Sequence, residues 1–456
     1  MRVAVFINNS TPEGGGSYTF ESQLIGTLLE LCTESRHTFI GYISDREVPN
    51  YLSNIPIRIV SLDLTLSQKI TRQLLLIVKA LFDKIRHPRS KFAIKNWRDR
   101  HVLNLLEANR IDLTLSLTPN TPTLEYPYIT TVWDLQHKLQ SYFPEVSKNG
   151  EWDCREEYHL KMLNRAAAII TGTETGKAEI ERFYQIPAER IKVIPMFAPQ
   201  LRSNPDGIVG VGVGEASRSR SVSERREASR SRWRSRSVPK ESLCLSRSVS
   251  ERREAAAGRE NRDVITKYQL PDRYLFYPAQ FWPHKNHVGL LLALKCLQEK
   301  YNLEVPLVLV GADKGNEPYI KAMVKKLDLS ARVYFLGFVP LQDMAALYRN
   351  AFAMTFVTFF GPDNLPPLEA MALGCPTIAS NVSGAQEQLG DAALLVDPKQ
   401  PEEIAAAIHA LFTDATLRQN KIELGLKRAY RWNSKDYIRE IFTMLDDFEA
   451  IRRCWQ

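Results

Sequence analysis

The stretch FFGPDNLPPLEAMALGCPTIAS, from Phe359 to Ser380, decides the fold that we predict for this chain. Gly361 to Pro367 combines glycine, prolines, aspartate and asparagine, which predicts a loop. Leu368 to Leu373 then reads as a short helix, and Thr377 to Ala379 as an apolar strand. A loop that leads into a helix presents free backbone N–H groups and a partial positive charge, which suit a phosphate or a sugar hydroxyl. An ordinary connection between a strand and a helix is the alternative.

Strands and helices alternate twice along the chain. Arg2 to Ile7 is a strand pattern, a loop ending in three glycines follows it, and Phe20 to Cys32 has apolar residues at helical spacing. Tyr274 to Pro278 opens a second series of this kind. The alternation predicts an α/β protein with two Rossmann-like, doubly wound domains. We expect an N-terminal domain over 1–202, a C-terminal domain over 263–433 and a closing helix within 434–456.

The positive charge of the protein is concentrated in one segment. The chain has 456 residues, too many for one hydrophobic core, and a formal net charge of +8. Between Ser217 and Glu260, twelve arginines and Lys240 oppose six glutamates, so that 13 − 6 = +7 of this excess lies there. The rest of the chain is close to neutral. The basic pI of the whole protein is therefore no sign that the folded domains bind nucleic acid.

That segment is also repetitive and poor in apolar residues. The sequence SRSVSERREA occurs twice, beginning at Ser219 and at Ser246. With so few apolar side chains it cannot build a core, and we expect residues 203–262 to form a disordered insertion at the linker between the domains. RNA binding by this Arg/Ser-rich tract is the functional alternative.

Cysteine usage and hydropathy bear on location. The six cysteines are scattered without a C-x-x-C pair, which predicts neither a disulfide framework nor a zinc site and favours a reducing, cytoplasmic location. The longest apolar run, Leu74 to Phe82, is too short to span a bilayer. A predicted helix from Ile70 to Ile85 leads into a basic stretch that ends near Trp97. This stretch is either a solvated helix end or a peripheral contact with the anionic inner face of the membrane.

Two loops of the N-terminal half carry candidate site residues. Gly14, Gly15 and Gly16 lack the spacing of a dinucleotide fingerprint, but they would let the backbone approach a ligand phosphate or an acceptor. A flexible turn is the alternative. Asp134 and His137 follow the predicted strand from Tyr128 to Val132, at the edge where parallel sheets keep their sites. They could hold a hydroxyl and handle a proton, or be structural.

The C-terminal half resembles the family-four glycosyltransferases (glycosyltransferase group 1), retaining enzymes of the GT-B fold that use nucleotide-sugar donors. The resemblance rests on an ordered series of segments over about 120 residues: AQFWPHKN, LVGAD, VYFLGFV, LYRNA, GPDNLPPLEAMALGCPTIAS and LLVDP. The N-terminal half is less similar, through its glycine-rich first loop, VWDLQH and IITGTE. The resemblance implies that the N-terminal domain holds the acceptor, that the C-terminal domain holds the donor, and that the closing helix crosses back to the first domain.

The resemblance also implies donor-binding roles for Lys285, Gly337, Asn364, Leu365 and Glu369. Lys285 would neutralise the charge that grows on the departing diphosphate. The backbone N–H groups around Asn364 and Leu365 would cradle phosphate and sugar. Glu369 matches the glutamate that accepts hydrogen bonds from the nucleotide ribose.

The sequence departs from the family in the donor motif. Gly361 stands where the family has the first of two motif glutamates, which faces the transferred sugar. Asp363, Asn364 or backbone amides replace that glutamate, or the activity is altered. The arginine that accompanies the phosphate-binding lysine is not evident, because Gln280 and His284 occupy its loop.

A further departure lies in the N-terminal domain. The family histidine before the aspartate is Trp133 here, which leaves His137 as its substitute. We therefore take His137, Asp134 and Asp363 as the candidate catalytic residues.

The expected reaction is a metal-independent transfer. No D-x-D triplet occurs in the sequence, which argues against a carboxylate-bound metal on the diphosphate. The resemblance implies front-face attack, in which the departing phosphate takes the proton of the acceptor. We expect transfer of a hexose, with mannose from GDP-mannose as the first choice, to a polysaccharide or lipid-linked glycan acceptor. The alternatives are a GT-B protein that binds a nucleotide sugar without transferring it, and RNA binding through the Arg/Ser tract.

Overall fold

The computed structural model describes residues 1–7, 15–44, 56–62, 100–201 and 263–455. Four features predicted from the sequence lie outside these ranges. They are the helix over 70–85, the basic stretch after it, Gly14 and the insertion over 203–262.

The N-terminal domain is built on seven parallel strands in the order β3-β2-β1-β4-β5-β6-β7. The strands are β1 (Arg2–Ile7), β2 (Thr38–Ile43), β3 (Arg58–Ser61), β4 (Leu113–Leu115), β5 (Tyr128–Thr131), β6 (Ala168–Thr171) and β7 (Ile191–Val193). The central strands are buried on both faces, as expected of a parallel sheet that helices cover on each side. The strand order reverses between β1 and β4, so the loops that follow these two strands flank a topological switch point.

The helices of this domain connect the strands. They are α1 (Gly16–Leu31), α2 (Gln136–Leu139), α3 (Pro144–Ser147), α4 (Glu151–Arg165) and α5 (Glu174–Tyr184). Residues 100–108 are also helical. Short 3₁₀ turns occur at Cys32–Glu34 and Ala188–Arg190.

The C-terminal domain repeats the design with six parallel strands in the order β10-β9-β8-β11-β12-β13. They are β8 (Leu275–Pro278), β9 (Leu307–Val310), β10 (Val333–Phe335), β11 (Ala353–Phe356), β12 (Thr377–Ser380) and β13 (Ala393–Val396). Here the order reverses between β8 and β11. The loops after these neighbouring strands carry the AQFWPHKN and GPDNLPPLE segments, which therefore meet at one edge of the sheet.

The helices of this domain are α6 (His287–Tyr301), α7 (Glu317–Lys326), α8 (Leu341–Asn350), α9 (Leu365–Ala372), α10 (Ala385–Leu389), α11 (Pro401–Thr413), α12 (Ala415–Tyr430) and α13 (Ser434–Arg452). Pro283–Lys285 and Gly390–Ala392 are 3₁₀ turns. The two predicted parallel-sheet domains are thus confirmed.

The last helix, α13, packs on the N-terminal domain. Its buried face places Tyr437, Ile438 and Ile441 in the same hydrophobic core as Phe20 and Leu24 of α1. The ring of Tyr437 meets that of Phe20 edge-on at 5.7 Å between centroids. The chain therefore crosses the interface between the domains a second time after α12.

The differences from the sequence prediction have local causes. Helix α9 begins at Leu365, three residues earlier than expected, because prolines at 366 and 367 are tolerated in a first helical turn, whose N–H groups have no partner within the helix. Helices α4 and α12 were not predicted. Each buries only two residues, so neither shows a clear apolar periodicity.

Cysteines and helix hydropathy can be compared with the expectations on location. Cys32, Cys154, Cys296, Cys375 and Cys454, which lie in the described ranges, are all free thiols. Across those same ranges, no helix combines the length and the apolar character needed to cross a membrane.

Candidate active site

A cleft of about 520 Å³ lies between the two domains. This volume is typical of a small-molecule site. Residues of both domains line it, among them Gly15, Gly16, Ser17, Trp133, Asp134, Glu145, Arg155, Gln280, Trp282, His284, Lys285, Phe338, Phe356, Asp363, Asn364, Leu365 and Glu369. Most of the residues selected from the sequence thus meet in one place.

Lys285 is the cationic centre of the C-terminal side of the cleft. Its ammonium lies 5.2 Å from the centre of the Phe356 ring, and no carboxylate of the described residues is in ion-pair contact with it. Burial lowers the pKa of Lys285 to about 8, against the opposing effect of the negative charges of Asp134 and Glu145. A partly buried ammonium without an ion-pair partner is suited to an anionic ligand.

Glu369 lies on α9 across from Lys285 and is almost fully buried, although it lines the cleft. The hydroxyl of Tyr348 donates a hydrogen bond to Glu369 Oε2 at 2.8 Å. Burial raises the pKa of Glu369 to about 7, and the bond from Tyr348 acts in the opposite direction. Tyr348 therefore fixes the direction of this carboxylate and favours its ionised form.

The backbone at the start of α9 offers fewer free amides than the sequence suggested. The N–H of Asn364 donates to Gln388 Oε1 at 3.1 Å, and the prolines at 366 and 367 have no N–H. The N–H of Leu365 has no hydrogen-bond partner within the described residues, and Leu365 lines the cleft. The amide of Leu365 is thus open to a ligand at this helix start.

Gly361 has a conformation that excludes the glutamate of the family motif. Its φ is +136°, and a Cβ there would lie 2.4 Å from Nδ2 of Asn364. That Asn364 amide donates to the carbonyl of Gly361 at 2.7 Å. The asparagine therefore occupies the space that a side chain at position 361 would need.

Asp363 lines the cleft but also joins the two domains. Gln388 donates to its Oδ1 at 2.9 Å, whereas its buried Oδ2 accepts no hydrogen bond within the described residues. This oxygen lies against Gly172, where an added Cβ would be 1.3 Å away. Burial, with a smaller effect from Glu387, raises the pKa of Asp363 to about 8. The carboxyl is therefore mostly protonated at neutral pH.

Residues of α3 and of the loop before it reach across the cleft to the C-terminal domain. Gln140 donates to the carbonyl of Phe359 at 2.8 Å, and the rings of Phe143 and Phe359 stack at 6.0 Å. Glu145 accepts hydrogen bonds from the backbone N–H of His284, at 3.3 Å, and from His284 Nδ1. The N-terminal domain thus holds both loops at the switch point of the C-terminal sheet.

A second cavity opens beside the cleft in the N-terminal domain. This side chamber also measures about 520 Å³ and shares Ser17, Trp133, Asp134 and Arg155 with the cleft. Its other lining residues are Glu21, Thr118, Pro119, Asn120, His137, Cys154, Tyr158 and His159. Hydroxyl, amide and carboxyl groups beside aromatic rings make a surface suited to a sugar.

The structure separates Asp134 from His137. Asp134 faces both the cleft and the side chamber. His137 lines only the chamber, is 1% exposed, and its Nε2 meets both Glu156, at 3.2 Å, and the hydroxyl of Tyr184, at 3.1 Å. Burial and the nearby His159 lower the pKa of His137 to about 4. His137 is therefore a neutral imidazole at the back of the chamber.

The predicted glycines occupy different positions. Gly15 and Gly16 line the cleft, and a Cβ on Gly16 would lie 3.3 Å from Leu365 of the other domain. Gly337 has a φ of +65°, and its carbonyl accepts the N–H of Gly311 at 2.9 Å. Gly337 does not itself belong to the lining; it makes the turn that brings Phe338 to the cleft.

The sequence reasoning missed Glu145, Arg155 and Trp282. Glu145 and Arg155 belong to an N-terminal segment with no motif, and nothing local distinguishes them from solvated charges. Trp282 lies inside the quoted AQFWPHKN segment, so an aromatic residue beside the lysine was a signal available in the sequence.

One group of residues with metal-ligand spacing lies outside the cleft. Over the described ranges, the one group of three residues with metal-ligand spacing is His37, Asp446 and Glu449, at the contact between β2 and α13 and away from the cleft. Arg36 forms ion pairs with both of these carboxylates, at 2.5 and 3.1 Å, which accounts for their proximity.

The fold is shared with solved structures of low sequence identity. Sucrose-phosphate synthase from Thermosynechococcus elongatus superposes with a TM-score of 0.65 at 16% identity, covering 99% of this chain and 100% of that one. The Anabaena protein Alr3699/HepE, in complex with UDP and glucose, gives 0.60 at 14% identity, covering 98% and 100%. These likenesses confirm the predicted GT-B fold.

The C-terminal domain is similar to a known protein family. Residues 259–428 match the family described as "Glycosyl transferases group 1". The chain is 32% identical over 171 residues to O-antigen chain mannosyltransferase B of Escherichia coli (37% of this chain, 45% of the relative), and 30% identical over 146 residues to O-antigen chain mannosyltransferase RfbU of Salmonella typhimurium (32% and 40%). The C-terminal domain thus matches the group 1 glycosyl transferases, as the resemblance predicted. It spans less than half the length of these curated relatives.

Proposed function

We propose that the protein is a retaining glycosyltransferase that moves a hexose, mannose first, from a nucleotide sugar to a glycan acceptor. The observation that carries the proposal is the presence of Lys285 and Glu369 in the same cleft. Lys285 lies in the turn after β8 and Glu369 lies on α9, which follows the adjacent strand β11, and both line one cleft between two Rossmann-like domains. The mannosyltransferase names of the relatives support mannose as the first sugar to test.

The donor side supplies a group for each part of a nucleotide sugar. The ammonium of Lys285 and the N–H of Leu365 would bind the diphosphate, and the carboxylate of Glu369 would accept hydrogen bonds from the ribose. The base would lie on an apolar part of the cleft lining. This part is formed by Val310, Ala312, Phe338, Val339, Leu341 and Met344. As the sugar departs, negative charge grows on the phosphate beside Lys285, where it is stabilised electrostatically.

The acceptor side would use the side chamber. Asp134 lies at the junction between the chamber and the cleft, so an acceptor hydroxyl held there would face the donor sugar. The polar and aromatic lining favours a sugar residue of a polysaccharide or lipid-linked glycan in the chamber over a lipid chain. In this proposal His137 is part of the wall of the side chamber, and Asp363 is part of the interface between the two domains.

Calorimetric titration with GDP, UDP, ADP and their sugar conjugates tests the donor assignment. We expect one nucleotide to bind, and Lys285→Ala and Glu369→Ala to weaken that binding by about ten-fold or more without lowering the melting temperature. Lys314→Ala serves as a matched control, because Lys314 lies over the ring of Trp282 but does not line the cleft. Wild-type affinity in both site variants would contradict the assignment.

Binding without transfer is the second candidate. It is favoured by the side chain of Asn364, which fills the space at Gly361 where the family has a glutamate. Measuring the free nucleotide released from the nucleotide sugar in the presence of glycan acceptors distinguishes the two candidates. Release of the nucleotide would favour the glycosyltransferase. Saturable binding with no release against any acceptor would favour the binding protein.

A metal-independent reaction in a reducing, cytoplasmic compartment completes the proposal. It rests on the free thiols of the described cysteines and on the absence of a D-x-D triplet from the sequence. Equal rates of transfer in EDTA and in magnesium would support it, and a rate that depends on magnesium would contradict it.

A further inference from the structure

The residue before Lys285 is held by the opposite domain. His284 belongs to the 3₁₀ turn Pro283–Lys285, and Glu145 belongs to α3 of the N-terminal domain. The Oε1 of Glu145 accepts hydrogen bonds from both the backbone N–H and the Nδ1 of His284. Only 12% of the imidazole and 5% of the carboxylate side chain are exposed. This contact is therefore a shielded polar bridge across the cleft.

The bridge leaves one ring nitrogen of His284 for a ligand. A carboxylate that accepts from Nδ1 fixes the proton on that nitrogen, so Nε2 is the one that can meet a molecule in the cleft. Lys285 is the only lysine or arginine that the C-terminal domain contributes to the described cleft lining. A diphosphate diester carries two negative charges, so a second cation is missing from the donor side.

We propose that His284 is a second phosphate-binding residue, which takes up a proton when a nucleotide sugar binds, and that Glu145 is its positioning residue. The inference rests on the proposed function and extends it, because the acceptor domain then helps to bind the donor. The donor site is complete only when the two domains are closed on each other.

The charges around His284 account for the change in protonation. Glu145 on α3 and Asp134 after β5 favour the imidazolium, whereas Lys285 disfavours it. The neighbouring ring of Phe143 carries no charge. In the free protein, burial lowers the pKa of His284 more than Glu145 raises it, and the ring is neutral at pH 7. Two phosphate charges arriving beside Nε2 reverse this balance.

Proton uptake is measured by titrating GDP-mannose, or the nucleotide sugar that binds best, at pH 7 in buffers of different ionisation enthalpy. The decisive variant is His284→Asn, because an asparagine amide can still donate to Glu145 but has no titratable nitrogen. We expect the wild type to take up at least about half a proton more than His284→Asn and to bind about ten-fold more tightly or better. Lys285 and Glu369 are common to both proteins, so their contributions cancel.

Two further variants separate this role from a structural one. Glu145→Gln keeps the shape of the bridge and removes the charge that stabilises the imidazolium, so uptake at pH 7 should fall while the melting temperature stays within a few degrees of the wild type. His409→Asn, on α11 and stacked on Tyr301 outside the cleft, should leave uptake and affinity unchanged.

The outcomes distinguish the inference from the proposed function. Nucleotide-sugar binding with equal proton uptake in the wild type and in His284→Asn would overturn the inference and leave the proposed function standing. Failure of every nucleotide sugar to bind would overturn both. A loss of uptake in His409→Asn would also overturn the assignment to His284.

Discussion

The affinity for a nucleotide sugar should fall steeply when pH rises through the pKa of Lys285. Burial lowers that pKa to about 8. With this value, Lys285 is about nine-tenths protonated at pH 7 and about one-tenth protonated at pH 9. The ammonium form of Lys285 attracts the diphosphate and the neutral amine does not. The loss of the protonated form therefore raises the Kd by about ten-fold over this interval.

Lys285→Arg isolates this effect, because arginine keeps its charge throughout the interval. Calorimetric Kd values for GDP-mannose at pH 7 and at pH 9 should therefore change about ten-fold more in the wild type than in Lys285→Arg. His284, Glu369 and the nucleobase titrate equally in both proteins, so they do not enter the ratio. Identical pH dependences in the two proteins would refute the assignment of the buried ammonium as the phosphate ligand.

Three further predictions concern the packing behind the cleft. Tyr348→Phe removes the hydrogen bond to Glu369 and should weaken nucleotide binding at pH 7 by about ten-fold, measured by calorimetry, with little change at pH 5.5, where the carboxyl is protonated in both proteins. For Asp363, a folded-state pKa raised from 3.8 to about 8 means that stability is present at low pH and is lost as pH rises. Asp363→Asn should thus melt at a higher temperature than the wild type at pH 9 and close to it at pH 4. Equal melting temperatures of the two proteins at pH 9 would contradict this. Gly172→Ala places a methyl group 1.3 Å from Asp363 Oδ2 and should enlarge the radius of gyration in small-angle X-ray scattering, whereas adding Asp363→Ala should restore it.

Local sequence was sufficient to predict the fold and the meeting of Lys285 and Glu369 in one cleft. Apolar strand runs such as those ending at Pro278 and Phe356 alternate with helical periodicity, and this alternation fixes a parallel sheet in each domain. The loops after these strands must then meet at the carboxyl edge of the sheet, which brings Lys285 and Glu369 into one cleft. Helices α4 and α12 were missed because they bury too few residues to show a periodic pattern.

Only the tertiary structure decided which partners the site residues have. Glu145 and His284 are 139 positions apart, and no pattern in the sequence relates them. The same holds for Asp363 against Gly172 and for the bond from Tyr348 to Glu369, and burial is the main cause that raises the pKa of both carboxyl groups. Burial and hydrogen bonding across the interface are properties of the packed domains. The sequence therefore determined where the ionisable groups lie along the sheets, and the tertiary packing within and between the domains determined their charges.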